Sequence, residues 1–189
     1  MPRAPRVLTA LAACLCAAGI AVSAQPRRIY TNPDPGPELK QLFPAAAAFS
    51  KLGGEPLHFK VYGVDPKADP AVRPIGYVFW TTDMVPNEHG YHGPLHLLVG
   101  LDLTGTITGV VVDYHSEPYG YFSVEPPEFP AQFKGKSIFE PFRVGEDVDA
   151  VSRASLTINS ATRAIRDGSR MMAKAFLDPA AVRRPTTGK

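Results

Sequence analysis

The chain has 189 residues, with 20 Lys and Arg against 18 Asp and Glu, and two cysteines, Cys14 and Cys16. That length suits one domain plus a targeting segment. Both cysteines lie in the N-terminal apolar stretch, so the rest of the chain has no disulfide, zinc thiolate, iron–sulfur cluster or thiol nucleophile. It also has no long basic block before Arg183-Arg184, which excludes a nucleic-acid-binding face.

In chain order, Arg3 and Arg6 precede the uncharged run "VLTALAACLCAAGIAVSA" (7–24), and Val22-Ser23-Ala24 offers a small-residue cleavage site. A signal peptide over 1–24 and an exported, periplasmic product are expected. Two alternatives share this segment. "LAAC" (11–14) resembles a lipobox that would leave an acylated Cys14, and the run approaches the roughly 18 apolar residues that suggest a membrane anchor. Without residues 1–24 the charge balances, at 18 basic and 18 acidic residues.

Residues 25–37 are Pro-rich and polar, an extended lead-in. "ELKQLFPAAAAFSKL" (38–52) is expected to be helical in two pieces broken at Pro44, with Leu39, Leu42, Phe43 and Phe49 as its apolar face. "LHFKVYGV" (57–64) alternates like a half-buried strand, and 65–74 is a turn-rich loop. Three runs rich in Val, Ile, Leu and aromatics follow, over 75–85, 95–103 and 107–115, and they read as core strands. "LTGT" (103–106) is a hairpin turn that pairs the last two antiparallel. After a Pro-broken stretch (124–142), residues 159–177 read as a helix capped by Asn159 or Ser160. Its apolar face comprises Ala161, Ala164, Ile165, Met172, Ala175 and Phe176, and Gly168 weakens it. Residues 178–189 form a polar tail. The expected fold is α+β, an antiparallel sheet packed with helices in one domain over 38–177.

The candidate chemistry lies in "DVDAVSRASLTI" (147–158). Small residues around a hydroxyl keep it accessible, and a helix that follows offers free N–H groups and a positive dipole end, which suits a phosphate. The same composition also describes an ordinary capped loop. His89, His92 and His96 are separated by Gly90, Gly93 and Pro94, so a solvated loop is favoured over a metal site. Tyr77 and Phe79 should point to one side of their strand and Trp80 to the other, as core residues, with one aromatic available to stack on a ligand. Esterase, P-loop and dinucleotide fingerprints are absent, and no nucleophile–base pair supports a hydrolase.

The stretch resembles the flavinylation motif of the FMN-binding domain family, in which an Asp, a Ser/Thr, a Gly, an Ala and an acceptor Thr occur in that order. Asp149, Ser152 and Ala154 match, Ser155 takes the acceptor position, and Arg153 stands where the pattern has Gly. A longer segment, "RPIGYVFWTTDMVPNEHGYHGPLHLLVGLDLTGTITGVVVDYHSEP" (73–118), resembles the periplasmic flavin domain of the nitrous-oxide-respiration protein NosR. Its His-x-Glu segment is similar to those of NqrC- and RnfG-type subunits. The resemblance implies FMN as cofactor, joined by a phosphoester to Ser155 with Thr157 assisting. It further implies that Asp149 and Ser152 set the loop for modification, and that His115 and Glu117 lie near the flavin, Glu117 ordering the flavin edge or a hydroxyl. The partners implied are a flavin transferase during maturation and a membrane electron-transfer protein in use. The alternative is a non-redox assembly or binding factor of the same fold.

Overall fold

The computed structural model describes residues 34–182. The expected signal segment, most of the lead-in and Arg183-Arg184 lie outside the described residues. Among the described residues, no helix is long and apolar enough to cross a membrane.

The framework is a five-stranded antiparallel meander in sequence order: β1 (Ala48–Phe49), β2 (Phe59–Tyr62), β3 (Gly76–Trp80), β4 (His96–Asp102) and β5 (Ile107–Tyr114). β3 is buried at all five positions and β4 at six of seven. Their near-continuous apolar composition follows from being covered on both faces. Alternation along β3 then separates two cores. Tyr77 and Phe79 join Leu97, Val99, Leu101 and Ile165 on one face, while Val78 and Trp80 join Leu98, Leu42 and Phe43 on the other. The 103–106 turn closes the β4–β5 hairpin as expected.

The first face is covered by the long helix that ends the domain, and the second by α1 (Gly36–Leu42). α1 stops at Phe43 because a residue before proline is pushed out of helical geometry by the ring of Pro44. Where α1 lands, the sheet is floored by glycine. A Cβ at Gly76 or Gly100 would meet the Phe43 ring at 2.6 or 3.0 Å, and one at Gly109 would meet Leu42 at 3.1 Å.

Two expectations are corrected. The second half of 38–52 is not helical, because Ala48 and Phe49 pair with Tyr62 and Val61 as an edge strand. The 75–85 strand ends at Trp80 and turns into a short helix, α2 (Thr81–Met84). Two further short helices follow β5: α3 (Gly120–Ser123), just ahead of the Pro-broken stretch, and α4 (Glu128–Ala131), inside it.

The last helix, α5, runs Ser155–Phe176, starting four residues before the expected cap at Asn159. Asn159 and Ser160 are therefore interior positions. Its buried face is built mainly from small residues, with Ile158, Ile165 and Met172 as the large ones; Ala173 is buried where Ala175 was expected. Gly168 turns out to be a contact, since a Cβ there would lie 2.9 Å from Phe79. Extended backbone at Leu177, ahead of Asp178-Pro179, ends the helix.

Candidate functional site

The segment from Phe142 to Ala154 is stapled by Asp147. Its carboxylate accepts the amides of Phe142 (3.0 Å) and Arg143 (2.5 Å) and the Lys136 ammonium (3.1 Å). Burial pushes this carboxyl up, but the Arg143 amide, Lys136 and the Phe142 amide outweigh it and hold it low. Further along, the Asp149 amide donates to Gln132 Oε1 at 2.7 Å, and Asp149 itself is exposed.

Residues 151–154 then make a tight turn closed by the Ala154 amide on the Val151 carbonyl. Its third residue, Arg153, has φ +67. Left-handed backbone at that turn position favours glycine, which explains physically why the motif carries Gly there. Arg153 adopts the glycine conformation nonetheless, with its side chain exposed.

α5 begins immediately afterwards, with Ala154 as its N-cap residue and no side-chain cap. Its first-turn amides are left without a side-chain acceptor, where a helix start ordinarily needs one. Ser152, Ser155 and Leu156 are exposed, while Ala154 and Thr157 are each 3 % exposed. Ser155 and Thr157 thus have opposite surroundings although they sit two residues apart.

Thr157 donates its hydroxyl to Glu117 Oε2, a buried oxygen from 40 residues earlier in the chain. The same oxygen accepts the Tyr91 amide at 2.8 Å, and Oε1 accepts the His92 amide at 2.8 Å. Glu117 is 7 % exposed. Burial alone would raise its pKa, but the Thr157 hydroxyl and the amides of His92, Tyr91 and Gly93 outweigh it and hold the carboxyl below its usual range. The loop closes around this carboxylate through Gly90, whose amide bonds the Gly93 carbonyl. A Cβ on Gly90 would lie 2.7 Å from the carboxylate. Glu117 is therefore an anion wrapped by a glycine-flanked loop and tied to α5, not a solvated strand-end acid.

His115 supports it from behind. Its Nδ1 accepts the Glu117 amide at 3.1 Å, so the proton sits on Nε2, which faces Glu125 at 3.1 Å. The structure brings Glu117, His115 and Thr157 together through these bonds. Ser155, Ala154, Ser152 and Asp149 follow the separate path of the turn.

The other histidines do not converge. His89 bonds the Pro86 carbonyl and His92 approaches the Ser116 carbonyl, both on the surface. His96 corrects the expectation of a solvated histidine. It is 3 % exposed, stacks on Trp80 at 4.3 Å and bonds Thr82 Oγ1 at 2.6 Å. Burial lowers its pKa, partly opposed by Asp113. The three strand aromatics are all core: Tyr77 stacks on Phe176 and Trp80 on His96, and Phe79 is fully buried. The exposed rings lie elsewhere, at Tyr91, Tyr114, Tyr119, Tyr121 and Phe139. Sequence reasoning did not single out Tyr91, whose amide bonds Glu117, although the Gly-Tyr-x-Gly spelling around it was the available signal.

Comparison with protein families matches residues 90–169 to the FMN-binding domain. The segment 90–169 of this chain carries the FMN-binding domain match. FMN is its cofactor. The match opens at Gly90 and takes in the Glu117 loop, β4, β5, the 151–154 turn and most of α5, while α1 and β1–β3 lie before it. No curated protein matches the chain.

The residues present fit the cofactor. An exposed hydroxyl sits in the first turn of a 22-residue helix whose start has no side-chain cap, and an exposed arginine, Arg153, stands two residues before it in sequence. Free amides and the positive end of the helix favour a phosphate.

Proposed function

We propose that the chain is an exported flavoprotein module that relays electrons to or from a membrane-associated respiratory system, with FMN joined to Ser155 by a phosphoester. The observation that carries this reading is the exposure of Ser155 at the uncapped start of α5, inside the segment matched to the FMN-binding domain. Bound FMN supplies one- and two-electron redox chemistry; the protein supplies attachment, orientation and electrostatics.

Ser155 is the acceptor. A flavin transferase forms its Oγ–phosphorus bond from an activated flavin nucleotide, whose other nucleotide leaves with the broken phosphate bond while the hydroxyl proton goes to solvent. The first-turn amides of α5 and Arg153 hold the phosphate oxygens, and Thr157 anchors the turn through Glu117. Asp149 and Ser152, both exposed, are the surface that the transferase reads. Export through a signal peptide over 1–24 brings the domain to the periplasm, where a membrane electron-transfer protein is its partner.

The test is co-production with a flavin transferase. The purified chain should be yellow, keep its flavin through denaturation, and gain the mass of FMN minus water on the peptide containing Ser155. Ser155→Ala should yield a folded protein lacking that adduct. Flavin released on denaturation would remove the covalent bond from the reading. A colourless product with the mass of the bare chain would favour the non-redox assembly factor.

A further inference from the structure

Tyr91 presents a contradiction. It is a large aromatic side chain, 64 % exposed, on a loop that is anything but loose. Its own amide is bonded to a buried carboxylate at 2.8 Å, the next amide is bonded to the other oxygen at 2.8 Å, and the loop is closed by the Gly90–Gly93 bond at 2.7 Å. Its only ring neighbour among the described contacts is His92, tilted by 33° at 5.0 Å. A fold gains little from fixing the backbone beneath a ring that it leaves in water, because the fixed residues still lose conformational entropy.

The position of that backbone gives the ring a use. One atom, Glu117 Oε2, accepts both the Tyr91 amide and the Thr157 hydroxyl. Tyr91 is therefore held beside the first turn of α5, the turn that begins with Ser155 and exposes Leu156 to 62 %. The other exposed rings are less available. Tyr119 and Tyr121 both pack against Phe122, at 5.5 and 4.9 Å, and no hydrogen bond described for either reaches α5; Tyr114 sits in β5 opposite His96, and Phe139 is flanked by the carbonyls that bond Arg170, far along α5 from Ser155.

We propose that Tyr91 is the stacking contact for the isoalloxazine ring of FMN, and that Glu117 is the positioning residue that holds it beside the attachment turn. This rests on the reading of Ser155 as the attachment point. A flavin ring is planar, aromatic and wet at one edge, and an exposed tyrosine offers a matching face with a polar tip. The buried carboxylate acts through the loop and does not touch the cofactor. It is suited to that role because both of its oxygens accept amides of the loop while Oε2 also accepts the Thr157 hydroxyl of α5, so displacing the loop leaves a buried charge short of partners.

The experiment uses flavin-loaded wild type, Tyr91→Ala, Tyr91→Phe and Glu117→Gln. Tyr91→Ala should raise flavin fluorescence several-fold, because a stacked phenol quenches it, and should abolish the induced circular dichroism of the visible flavin bands. Tyr91→Phe should keep that dichroism, since the ring face remains. In flavin-free protein, Glu117→Gln should accelerate hydrogen exchange at the Tyr91 and His92 amides, and after loading it should move the flavin signals toward those of Tyr91→Ala. A flavin-bearing wild type whose spectra are indifferent to Tyr91→Ala overturns the stacking assignment alone. Unchanged exchange in Glu117→Gln overturns its positioning role. A wild type carrying no flavin overturns the parent reading and this inference together.

Discussion

Replacing Thr157 by Val tests whether the Glu117–Thr157 bond holds the site together. Valine keeps the β-branch and nearly the volume, but removes the only side-chain donor described for the Glu117 carboxylate. The carboxylate keeps its amide donors from Tyr91 and His92, so the loss is one hydrogen bond to a buried charge, about 1.5–3 kcal/mol. For a domain of this size, a loss of about 2 kcal/mol lowers Tm by about 4–8 °C. The sign of the pH dependence follows from the depressed Glu117 pKa. Its contribution is fully present above the unfolded value of 4.5 and is lost as pH falls through the lower folded value. The gap between wild type and variant should thus be full at pH 7 and narrow below about pH 4.5 as the carboxylate protonates. Urea unfolding across that range, reading the midpoint at constant slope, measures it. Equal stabilities at pH 7, or a gap that does not shrink in acid, would refute the reasoning.

Three further substitutions probe the frame. Gly168→Ala should destabilise by about 1 kcal/mol in urea unfolding, because overpacking against the buried Phe79 ring outweighs the helix-propensity gain. Arg153→Gly should stabilise by up to about 1 kcal/mol, because it removes the left-handed strain at φ +67 while glycine's added chain entropy offsets part of the gain; a lower thermal midpoint would count against it. Asp147→Asn should cost about 1–2 kcal/mol at pH 7, since it weakens the acceptor of the Phe142 and Arg143 amides and of Lys136. Because that carboxyl is depressed from 3.8, the deficit should fade as pH drops below that value.

The central strands were legible because β3 and β4 are covered on both faces and so are spelled in apolar residues throughout. The 45–49 segment misled for the opposite reason. Its alanines favour a helix by propensity, yet Pro44 stops α1 and the β2 edge recruits Ala48 and Phe49 by backbone pairing, which side-chain identity hardly records. The start of α5 was displaced because Ser155, Thr157 and Ile158 are indifferent helix formers and Asn159-Ser160 looks like a cap. Burial of Thr157 and Ile158 against the sheet overrides both signals. The motif residues around Ser155 were readable by resemblance, whereas the Glu117 bridge was not. It joins residues 26 and 40 positions apart, and no local pattern encodes contacts over that distance.

The early start of α5 also bears on which hydroxyl can carry the cofactor. With 3.6 residues per turn, Ser155 and Thr157 lie about 200° apart around the helix, so one must face out when the other faces in. The sheet decides the choice, since Ile158, Ala161 and Ile165 are buried beside Thr157. For Thr157 to accept a phosphate it would have to leave a buried carboxylate and turn through half a revolution, against the packing of the whole helix. Ser155→Thr should therefore keep the proposed attachment, because the outward hydroxyl is retained at a position with space around it. Ser155→Ala should lose it without transfer to Thr157, two residues away. Peptide mass mapping distinguishes these cases directly. Flavin found on Thr157 in the Ser155→Ala protein would mean that the first turn of α5 unwinds during modification, and that the outward face of Ser155 does not set the choice of acceptor.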